Sequence, residues 1–438
     1  MVDSEAMMPG AMGGAPGACR EGLWRHRNFV LLWGGQSASL FGSAVSYVAL
    51  PLVGVVVLKL GPLQMGLIAT AGRVPVAVVS PVVGSLVDRL PRWPLLVACD
   101  LVRAGLVGSV PVCAAAGVLG FAQLLVVAAG MGLATQVFNV AHQSVLPELV
   151  EPADLAAGNG RLEATRSVAE VGGPGVAAGL MSAGGPALAV VVDAASYMVS
   201  AACLSRLRLP ARPARPSGPD SVAGRARRFG ADTAEGFRYL WHDPVLRASS
   251  ISYAVLALFA QVQEAIYMLF LVHTVHFDAT KIGVVFTLAA VVGLAAALAS
   301  DKIATRWGVG RLVVAGQTSM AVGGVLLAAV AGPTLQAGAT MLAAEAAVGV
   351  GLSFYGVGSR TLNQTRIPAD LRSRVIGASR VLTVSLVALA GIIGGGIGST
   401  IGLRPTMEVG AAGMILALVV TLRRAVWHSQ AAAPADQT

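Results

Sequence analysis

The chain places several ionisable side chains inside long apolar runs. Glu264, Glu345 and Arg73 each lie within such a run. A charged side chain at the centre of a membrane costs at least about 2.5–3.5 kcal/mol on insertion scales. A carboxylate in this setting can bind and release a proton, because burial favours its neutral form and exposure to water favours its charged form. The alternative is a permanent ion pair with an arginine of another helix, and both roles stay open for Glu264 and Glu345.

Three further charges share one face of a predicted helix. Glu163, Arg166 and Glu170 are spaced three and four residues apart, so they lie side by side on a helix. We interpret Arg166 and Glu170 as a structural ion pair. Arg73 either pairs with one of the acids or contacts an anionic group of a ligand.

Long apolar segments must position these residues. A helix needs about 20 apolar residues to cross about 30 Å of hydrocarbon. In lipid only helices or closed barrels satisfy their own backbone, and these runs are too long and too apolar for barrel strands. We therefore predict an all-α membrane protein with twelve transmembrane helices, at residues 29–58, 63–87, 95–117, 120–142, 161–183, 186–205, 249–272, 282–300, 311–331, 336–358, 375–398 and 403–422.

The basic residues lie almost wholly on one side of these spans. Of the 31 lysines and arginines, the odd-numbered connections contain only Lys59, Lys281 and Arg404. Apart from Arg73, Arg103 and Arg166 inside spans, the others lie at the termini and in or beside the even-numbered connections. Positively charged connections stay in the cytoplasm. Both termini are thus predicted to be cytoplasmic, in a multi-pass protein of the cell membrane.

Composition argues against other classes of protein. Charged residues make up 12% of the chain and hydrophobic residues 55%, whereas a soluble protein carries about 25% charged residues. The net charge of +9 would suggest nucleic acid in a soluble chain. Here the arginines are scattered without stacking aromatic residues, so we assign the excess charge to contact with anionic lipid and predict no nucleic-acid partner.

Cofactor and catalytic motifs are not evident. The four cysteines and six histidines are too dispersed for a metal site. The glycine clusters at 172–175 and 394–396 lack the following Lys-Ser/Thr of a phosphate loop. We predict no cofactor, no metal and no enzymatic activity.

The spans divide into two groups of six. Residues 29–205 and 249–422 each form a predicted six-helix bundle. Residues 206–248 form a predicted cytoplasmic linker, whose proline-rich first part precedes an amphipathic helix on the membrane surface that ends at Pro244. Residues 1–28 are predicted to be a disordered cytoplasmic N-terminus and residues 423–438 a cytoplasmic tail.

The two groups also echo each other in sequence. A Gln…Pro…acid stretch follows both the fourth and the tenth span, at 143–149 and 364–371. A charged stretch likewise precedes both the third and the ninth span. Its residues are Gly84, Asp88, Arg89 and Arg92 in the first group and Asp301, Lys302 and Arg306 in the second. This indicates a duplicated unit, and parallel repeats of this type form transporters that bind their substrate between the halves.

The stretch from Gly84 to Arg92 resembles the signature loop of the major facilitator superfamily. The wider pattern resembles the macrolide-efflux and enterobactin-exporter branch of that superfamily's drug:proton antiporters. The supporting stretches are residues 32–36 in the first span, 100–104 in the third, 146–149 after the fourth, and 173–174 with Gly179 in the fifth. Pro91 stands where the loop usually has glycine.

This resemblance implies the major facilitator fold and rocker-switch alternating access. Helices 1, 2, 4, 5, 7, 8, 10 and 11 would line the cavity. Asp88 would cap helix eleven and close the cytoplasmic side, since a carboxylate at a helix N-terminus is stabilised by about 0.3–1 kcal/mol. Arg372 or Arg374 would be its partner. Asp301 and Arg306 occupy the corresponding place in the second half.

The same helix assignment selects candidate cavity residues. Glu264 and Glu345 fall on cavity helices and become the leading candidates for proton coupling. Asp193 falls on an outer helix, as do Asp100 and Arg103, which we interpret as a structural pair. The polar cavity residues expected are Gln36, Gln136, Asn139, His142, Gln261 and Tyr355. A mostly apolar pocket with dispersed polar groups suits bulky amphipathic molecules, although each such side chain could instead bond a neighbouring helix.

We therefore predict a monomeric, proton-coupled secondary exporter of amphipathic drugs or natural products. The alternatives are a siderophore or lipid-like exporter, a nutrient uptake carrier and a membrane sensor that transports nothing.

Overall fold

The computed structural model describes residues 26–87, 90–150, 154–207 and 222–421, which form helices and no strands. The helices are α1 (Arg27–Leu52), α2 (Pro62–Val87), α3 (Arg92–Ala115), α4 (Phe121–Leu149), α5 (Leu155–Ser205), α6 (Val222–His242), α7 (Pro244–His273), α8 (Ala279–Trp307), α9 (Val309–Ala329), α10 (Leu335–Arg366), α11 (Arg372–Ile401) and α12 (Leu403–Thr421). A short π-helix, Val53–Val57, continues α1.

Helix α5 consists of two arms. Its 51 residues are interrupted at Gly184 and Gly185, where the backbone leaves the helical region. Gly185 has a φ of 71°, a left-handed conformation that glycine adopts without steric cost. Pro186 then begins the next helical stretch, which suits its fixed φ. The chain thus reverses at this point, and the arms 155–183 and 186–205 cross the bundle separately.

The helices have the length and surface of membrane spans. Nine segments of the described chain are long and apolar enough to cross a bilayer, and one of them, Ala157–Ser205, contains both arms of α5. Helices α2 and α12 pack beside them, which completes the twelve crossings. Large apolar side chains cover the outside, such as Leu298, which is 76% exposed, and Leu416, which is 62% exposed. The predicted all-α membrane fold is confirmed.

Helix pairing shows a repeated six-helix unit. In the N-terminal half α1 packs against α5 and α2 packs against α4. In the C-terminal half α7 packs against α11 and α8 packs against α10. Each pair of the second half is the counterpart, six crossings later, of a pair in the first. The two halves meet through α2 against α11 and α5 against α8, two contacts that a two-fold axis between the repeats would interchange.

We name the two ends of the bundle for the segments found there. The linker side is the end at which α1, α3 and α7 begin and α6 lies. The far side is the opposite end, where the π-helix ends and α2 begins.

The two halves touch closely at the far side. A Cβ atom on Gly66 of α2 would lie 2.1 Å from the carbonyl oxygen of Gly391 of α11. A Cβ atom on Gly283 of α8 would lie 2.7 Å from the carbonyl oxygen of Pro174 of α5. These distances are too short for any side chain, so glycine permits the contact. The far side of the bundle is therefore closed.

Helix α6 docks on the start of α11. A Cβ atom on Gly236 would lie 2.2 Å from the carbonyl oxygen of Arg374. The Arg374 side chain pairs with Asp232 at 3.1 Å and with Glu235 at 2.6 Å. Leu240 is buried among residues of α7, α9, α10 and α11. The linker helix is therefore fastened to the C-terminal half by both charge pairs and apolar packing.

A second set of contacts joins the end of α6 to the end of α10. The Tyr239 hydroxyl donates to the carbonyl oxygen of Arg366 at 3.0 Å. Asp243 accepts hydrogen bonds from the Val245 and Leu246 amides, which caps α7, and its other oxygen lies 3.3 Å from Arg366 Nη1.

Candidate functional site

A cavity of about 420 Å³ lies toward the far side between the two halves. Residues of α1, α2, α4, the second arm of α5, and α7 line it. Most of the wall is apolar, with Leu50, Met65, Met131 and Met268 among its residues. Methionine side chains adapt to ligands of different shape. The size and lining suit an amphipathic small molecule.

A hydrogen bond crosses this cavity from one half of the protein to the other. The Tyr47 hydroxyl of α1 donates to Oε1 of Glu264 of α7 at 2.7 Å. Both residues line the cavity. A hydrogen bond to a charged group contributes about 1.5–3 kcal/mol. We refer to this contact as the Tyr47–Glu264 bridge.

A second tyrosine–carboxylate pair adjoins the first. The Tyr267 hydroxyl donates to Oε1 of Glu345 of α10 at 2.5 Å. Tyr267 is buried and follows Glu264 by three residues, so both side chains lie on one face of α7. Tyr267 therefore links Glu345 to the face of α7 that carries Glu264, and of the two acids only Glu264 is part of the cavity wall.

Arg73 brings a positive charge into the same cavity. It lies on α2 and lines the wall. It forms no ion pair with any acid in the described part of the chain, although Tyr47 and Glu264 line the same cavity. The cavity wall thus contains both a basic residue, Arg73, and an acidic residue, Glu264, and these two do not form an ion pair.

A family model described as the Major Facilitator Superfamily matches residues 32–392. The chain belongs to this superfamily. The predicted transporter fold is thereby confirmed, and the protein is a membrane transport protein, not an enzyme.

Two relatives of this chain are named as efflux proteins. The multidrug efflux pump Tap of Mycobacterium tuberculosis (strain ATCC 25618 / H37Rv) is 27% identical over 395 residues, which cover 87% of this chain and 90% of that protein. Macrolide efflux protein A of Streptococcus pyogenes is 25% identical over 183 residues, which cover 42% of this chain and 45% of that protein. The predicted resemblance to macrolide-efflux proteins is confirmed.

Solved structures of transporters share the fold. The nucleoside transporter NupG superposes with a TM-score of 0.72 at 12% identity, covering 90% of this chain and 98% of that chain. A bacterial homologue of the iron transporter ferroportin in an inward-facing state gives a TM-score of 0.71 at 19% identity, covering 92% of this chain and 99% of that chain.

The predicted ion pair of Arg166 and Glu170 is present, and neither residue lines the cavity. Arg166 Nε lies 3.3 Å from Glu170 Oε1, and the side chains are 58% and 68% exposed. An ion pair this exposed contributes little to stability.

The predicted polar cavity residues separate into groups. Gln261 lines the 420 Å³ cavity. Tyr355 lines a second pocket on the linker side, where its ring stacks on Tyr253 at 4.0 Å. Four others lie on α1 and α4 and are not part of the cavity wall: Gln36, Gln136, Asn139 and His142. The His142 ring stacks on Phe138.

The gating residues that the structure describes lie at the linker side. Asp88 and Arg89 fall outside the described residues. Gly84 lies in the last turn of α2 and Arg92 begins α3. Asp301 and Arg306 are exposed near the end of α8. Arg374, one of two predicted partners of Asp88, pairs with Asp232 and Glu235 of α6. Helix α6 thus supplies acids that the sequence analysis did not connect with α11.

The assignment of Asp193 to an outer helix was wrong, because its side chain lines the cavity. Asp193, on the second arm of α5, is fully buried and lines the cavity with Ser46 and Tyr197. Its Oδ1 atom accepts from the Ser196 hydroxyl at 3.3 Å, and its Oδ2 atom has no hydrogen-bond partner among the described residues. The usable signal was the four-residue spacing of Asp193 and Tyr197, which puts a charge and a hydroxyl on one helix face.

A cationic side chain lies behind this acid. Arg103 of α3 forms a buried salt bridge with Asp100, as predicted from their spacing. Its guanidinium also covers the rings of Phe138 at 4.1 Å and Tyr197 at 4.6 Å. The Tyr197 hydroxyl is 2.8 Å from the Ser43 hydroxyl. These contacts hold the N-terminal wall of the cavity together.

No metal centre accompanies the cavity in the described ranges. Within them, no group of three or more histidine, cysteine, aspartate and glutamate side chains is arranged to bind a metal ion.

Proposed function

We propose that this protein is a proton-coupled exporter of amphipathic small molecules that works by alternating access, as a monomer in the cell membrane. The observation that carries this proposal is the Tyr47–Glu264 bridge, a titratable contact between the two halves inside an apolar cavity. The efflux activity named for the Tap and macrolide relatives supports the direction of transport.

The charge distribution supports a cytoplasmic location for the linker side, and hence for both termini. Basic residues of α6, α10 and α11 collect there, among them Arg238, Arg366 and Arg372. Positively charged segments remain in the cytoplasm. With this orientation, the closed far side is the outside, and the structure is an inward-facing state.

The Tyr47–Glu264 bridge couples protons to this change of state. Opening the far side must separate α1 from α7, because the bridge joins them across the cavity. A charge-assisted hydrogen bond is roughly twice as strong as a neutral one. With Glu264 ionised, the bridge therefore holds the empty carrier inward-facing and prevents an unproductive return.

Substrate and proton would release the bridge in turn. A substrate in the cavity competes with Tyr47 for Glu264, so the halves can rock and the far side opens. After the substrate leaves, the exposed carboxylate takes a proton from outside. The neutral carrier closes again, and the proton leaves to the cytoplasm when Glu264 ionises. Glu345, held by Tyr267, is a second carboxylate close to this path.

Cellular accumulation tests the direction of transport. An efflux-deficient bacterium expressing the protein will accumulate less of at least one compound from a panel of macrolides, chloramphenicol, tetracyclines and a catechol siderophore. A protonophore will restore accumulation. Unchanged accumulation across the panel, with the protein shown to be in the membrane, would contradict export of these compounds.

We further expect Asp88→Asn to abolish transport. The reason is the role implied by the signature loop, in which the carboxylate caps α11 and closes the cytoplasmic side in the outward-facing state. Membrane levels should remain normal, as checked by quantitative immunoblotting beside the transport assay. Asp370→Asn, a change at an exposed acid before α11, is the matched control. Normal transport by Asp88→Asn would remove the latch from the mechanism.

A further inference from the structure

A second pocket lies on the linker side of the C-terminal half. It has a volume of about 240 Å³ and lies between the first turns of α7, the end of α10 and the start of α11. It therefore lies nearer the linker side than the 420 Å³ cavity does. Most of its lining residues carry a hydroxyl or an amide group.

Arg380 supplies the charge of this pocket. It lies eight residues into α11, about 12 Å from the start of the helix at 1.5 Å per residue, and within the eleventh predicted span. It forms no ion pair or hydrogen bond with any described residue. The nearby acids are already engaged, since Asp243 pairs with Arg366, and Asp232 and Glu235 pair with Arg374.

The Arg380 side chain is exposed, so a ligand in the pocket can reach its guanidinium. Charged side chains within membrane spans face the bundle interior or a water-filled cavity, where they mark paths for ligands and ions. A guanidinium presents a planar fork of donors that matches a carboxylate or phosphate. An anion that enters the pocket would therefore provide the partner that Arg380 lacks among the described residues.

Other groups in the pocket complete an anion site. The Asn363 amide forms no side-chain hydrogen bond with a described residue, so its two N–H groups are available as donors. Ser379 donates to Ser250 at 3.2 Å across the gap between α11 and α7, which leaves the Ser250 hydrogen free. The stacked rings of Tyr253 and Tyr355, 4.0 Å apart and nearly parallel, give the pocket an aromatic wall.

We propose that this pocket binds the anionic group, a carboxylate or a phosphate, of an amphipathic molecule. Arg380 and Asn363 hold the anion, and the tyrosine pair contacts the adjoining apolar part. The location assigns it as the first binding subsite on the path from the linker side to the cavity, and this assignment alone rests on the proposed function. Two sources fit the same chemistry: a soluble amphipathic anion and the headgroup of an anionic lipid.

Two dyes that share the same ring system but differ in charge test the pocket. Carboxyfluorescein is an anionic xanthene and rhodamine 123 a cationic one. The full chain is placed in phosphatidylcholine nanodiscs, and dye binding is followed by fluorescence polarisation. We expect saturable binding of carboxyfluorescein that Arg380→Gln weakens by about tenfold or more, since a charge-assisted hydrogen bond is lost. Rhodamine 123 binding should be unchanged by this variant.

Control variants separate the pocket from general charge attraction. Arg360→Gln removes an exposed arginine of α10 that does not line the pocket, and carboxyfluorescein affinity should stay the same. Asn363→Leu retains Arg380 and should weaken the anionic dye alone, which covers the case that Arg380→Gln fails to fold. Absence of carboxyfluorescein binding to the unmodified chain, or equal loss in Arg360→Gln and Arg380→Gln, would overturn the proposal.

The lipid composition identifies the source of the anion. If carboxyfluorescein affinity falls as phosphatidylglycerol replaces phosphatidylcholine, the pocket binds the lipid headgroup. If affinity is independent of this replacement, the pocket takes soluble anions. Both results support an anion site. Because binding is measured without transport, unchanged accumulation of the whole compound panel in cells would contradict the proposed export and leave this result standing.

Discussion

Replacing Glu264 by Gln is expected to remove the acceleration that an inward proton gradient gives to substrate export. The amide keeps an acceptor for the Tyr47 hydroxyl but cannot bind and release a proton in this pH range. Because charged-group hydrogen bonds contribute about 1.5–3 kcal/mol, the bridge should also weaken, shifting the balance of inward- and outward-facing states by about tenfold. Export into vesicles with and without a pH gradient measures the effect.

Matched variants give this prediction its control. Glu170→Gln neutralises an acid of α5 that is 68% exposed and paired with Arg166, and proton dependence should be retained. Tyr47→Phe should also retain proton dependence, because the acid remains, while the inward-facing state loses its bridge. Full proton dependence in Glu264→Gln, together with its loss in Glu345→Gln, would transfer the proton-carrying role to Glu345.

Replacing Gly395 by Val is expected to reduce transport by roughly tenfold or more, because the far side can no longer close. A Cβ atom at this position would lie 2.6 Å from the carbonyl oxygen of Pro62 and 3.1 Å from the Cα atom of Gly66. Overpacking of this kind costs about 1–3 kcal/mol. Gly396→Val is the matched control, since a Cβ atom there has no atom within 4 Å.

Thiol labelling reports the state of the far side directly. Met65 lies in the cavity wall beside this contact and is 7% exposed. In a background lacking the four native cysteines, Met65→Cys should react faster with an impermeant maleimide added outside when Gly395→Val is present. Labelling at the rate of the Gly396→Val control would show that the α2–α11 contact does not limit closure.

Much of the fold follows from local properties of the sequence. Each span is a long apolar run, and lipid leaves its backbone only helical hydrogen bonds. The repeat was visible because two charged landmarks recur at equivalent places. The reversal inside α5 was also readable, since Gly184, Gly185 and Pro186 interrupt the run between the fifth and sixth predicted spans.

The candidate site could be predicted only in part. Glu264, Glu345 and Arg73 were found because a charge in an apolar run is conspicuous. Their partners were not, since Tyr47 is 217 residues from Glu264 and Tyr267 is 78 residues from Glu345. Tyrosine is common in membrane helices, and spacing along the chain says nothing about contacts between distant helices.

The roles of residues near helix ends and on the second arm of α5 were still harder to predict from the sequence. Asp193 was assigned to an outer helix, yet that arm turns one face to the cavity and buries this carboxylate there. Arg380 lies within the eleventh predicted span, but hydropathy alone does not show that its side chain lines a pocket between α7, α10 and α11. The partners of Arg374 lie on α6, a helix whose docking depends on packing that no sequence pattern specifies.

The most direct test of the central claim uses purified protein in liposomes containing a pH-sensitive dye. After addition of a transported compound on the side from which it is exported, the account predicts proton movement in the opposite direction, abolished by Glu264→Gln and preserved in Glu170→Gln. Transport of the compound without any proton movement, or equal proton movement in Glu264→Gln, would contradict it.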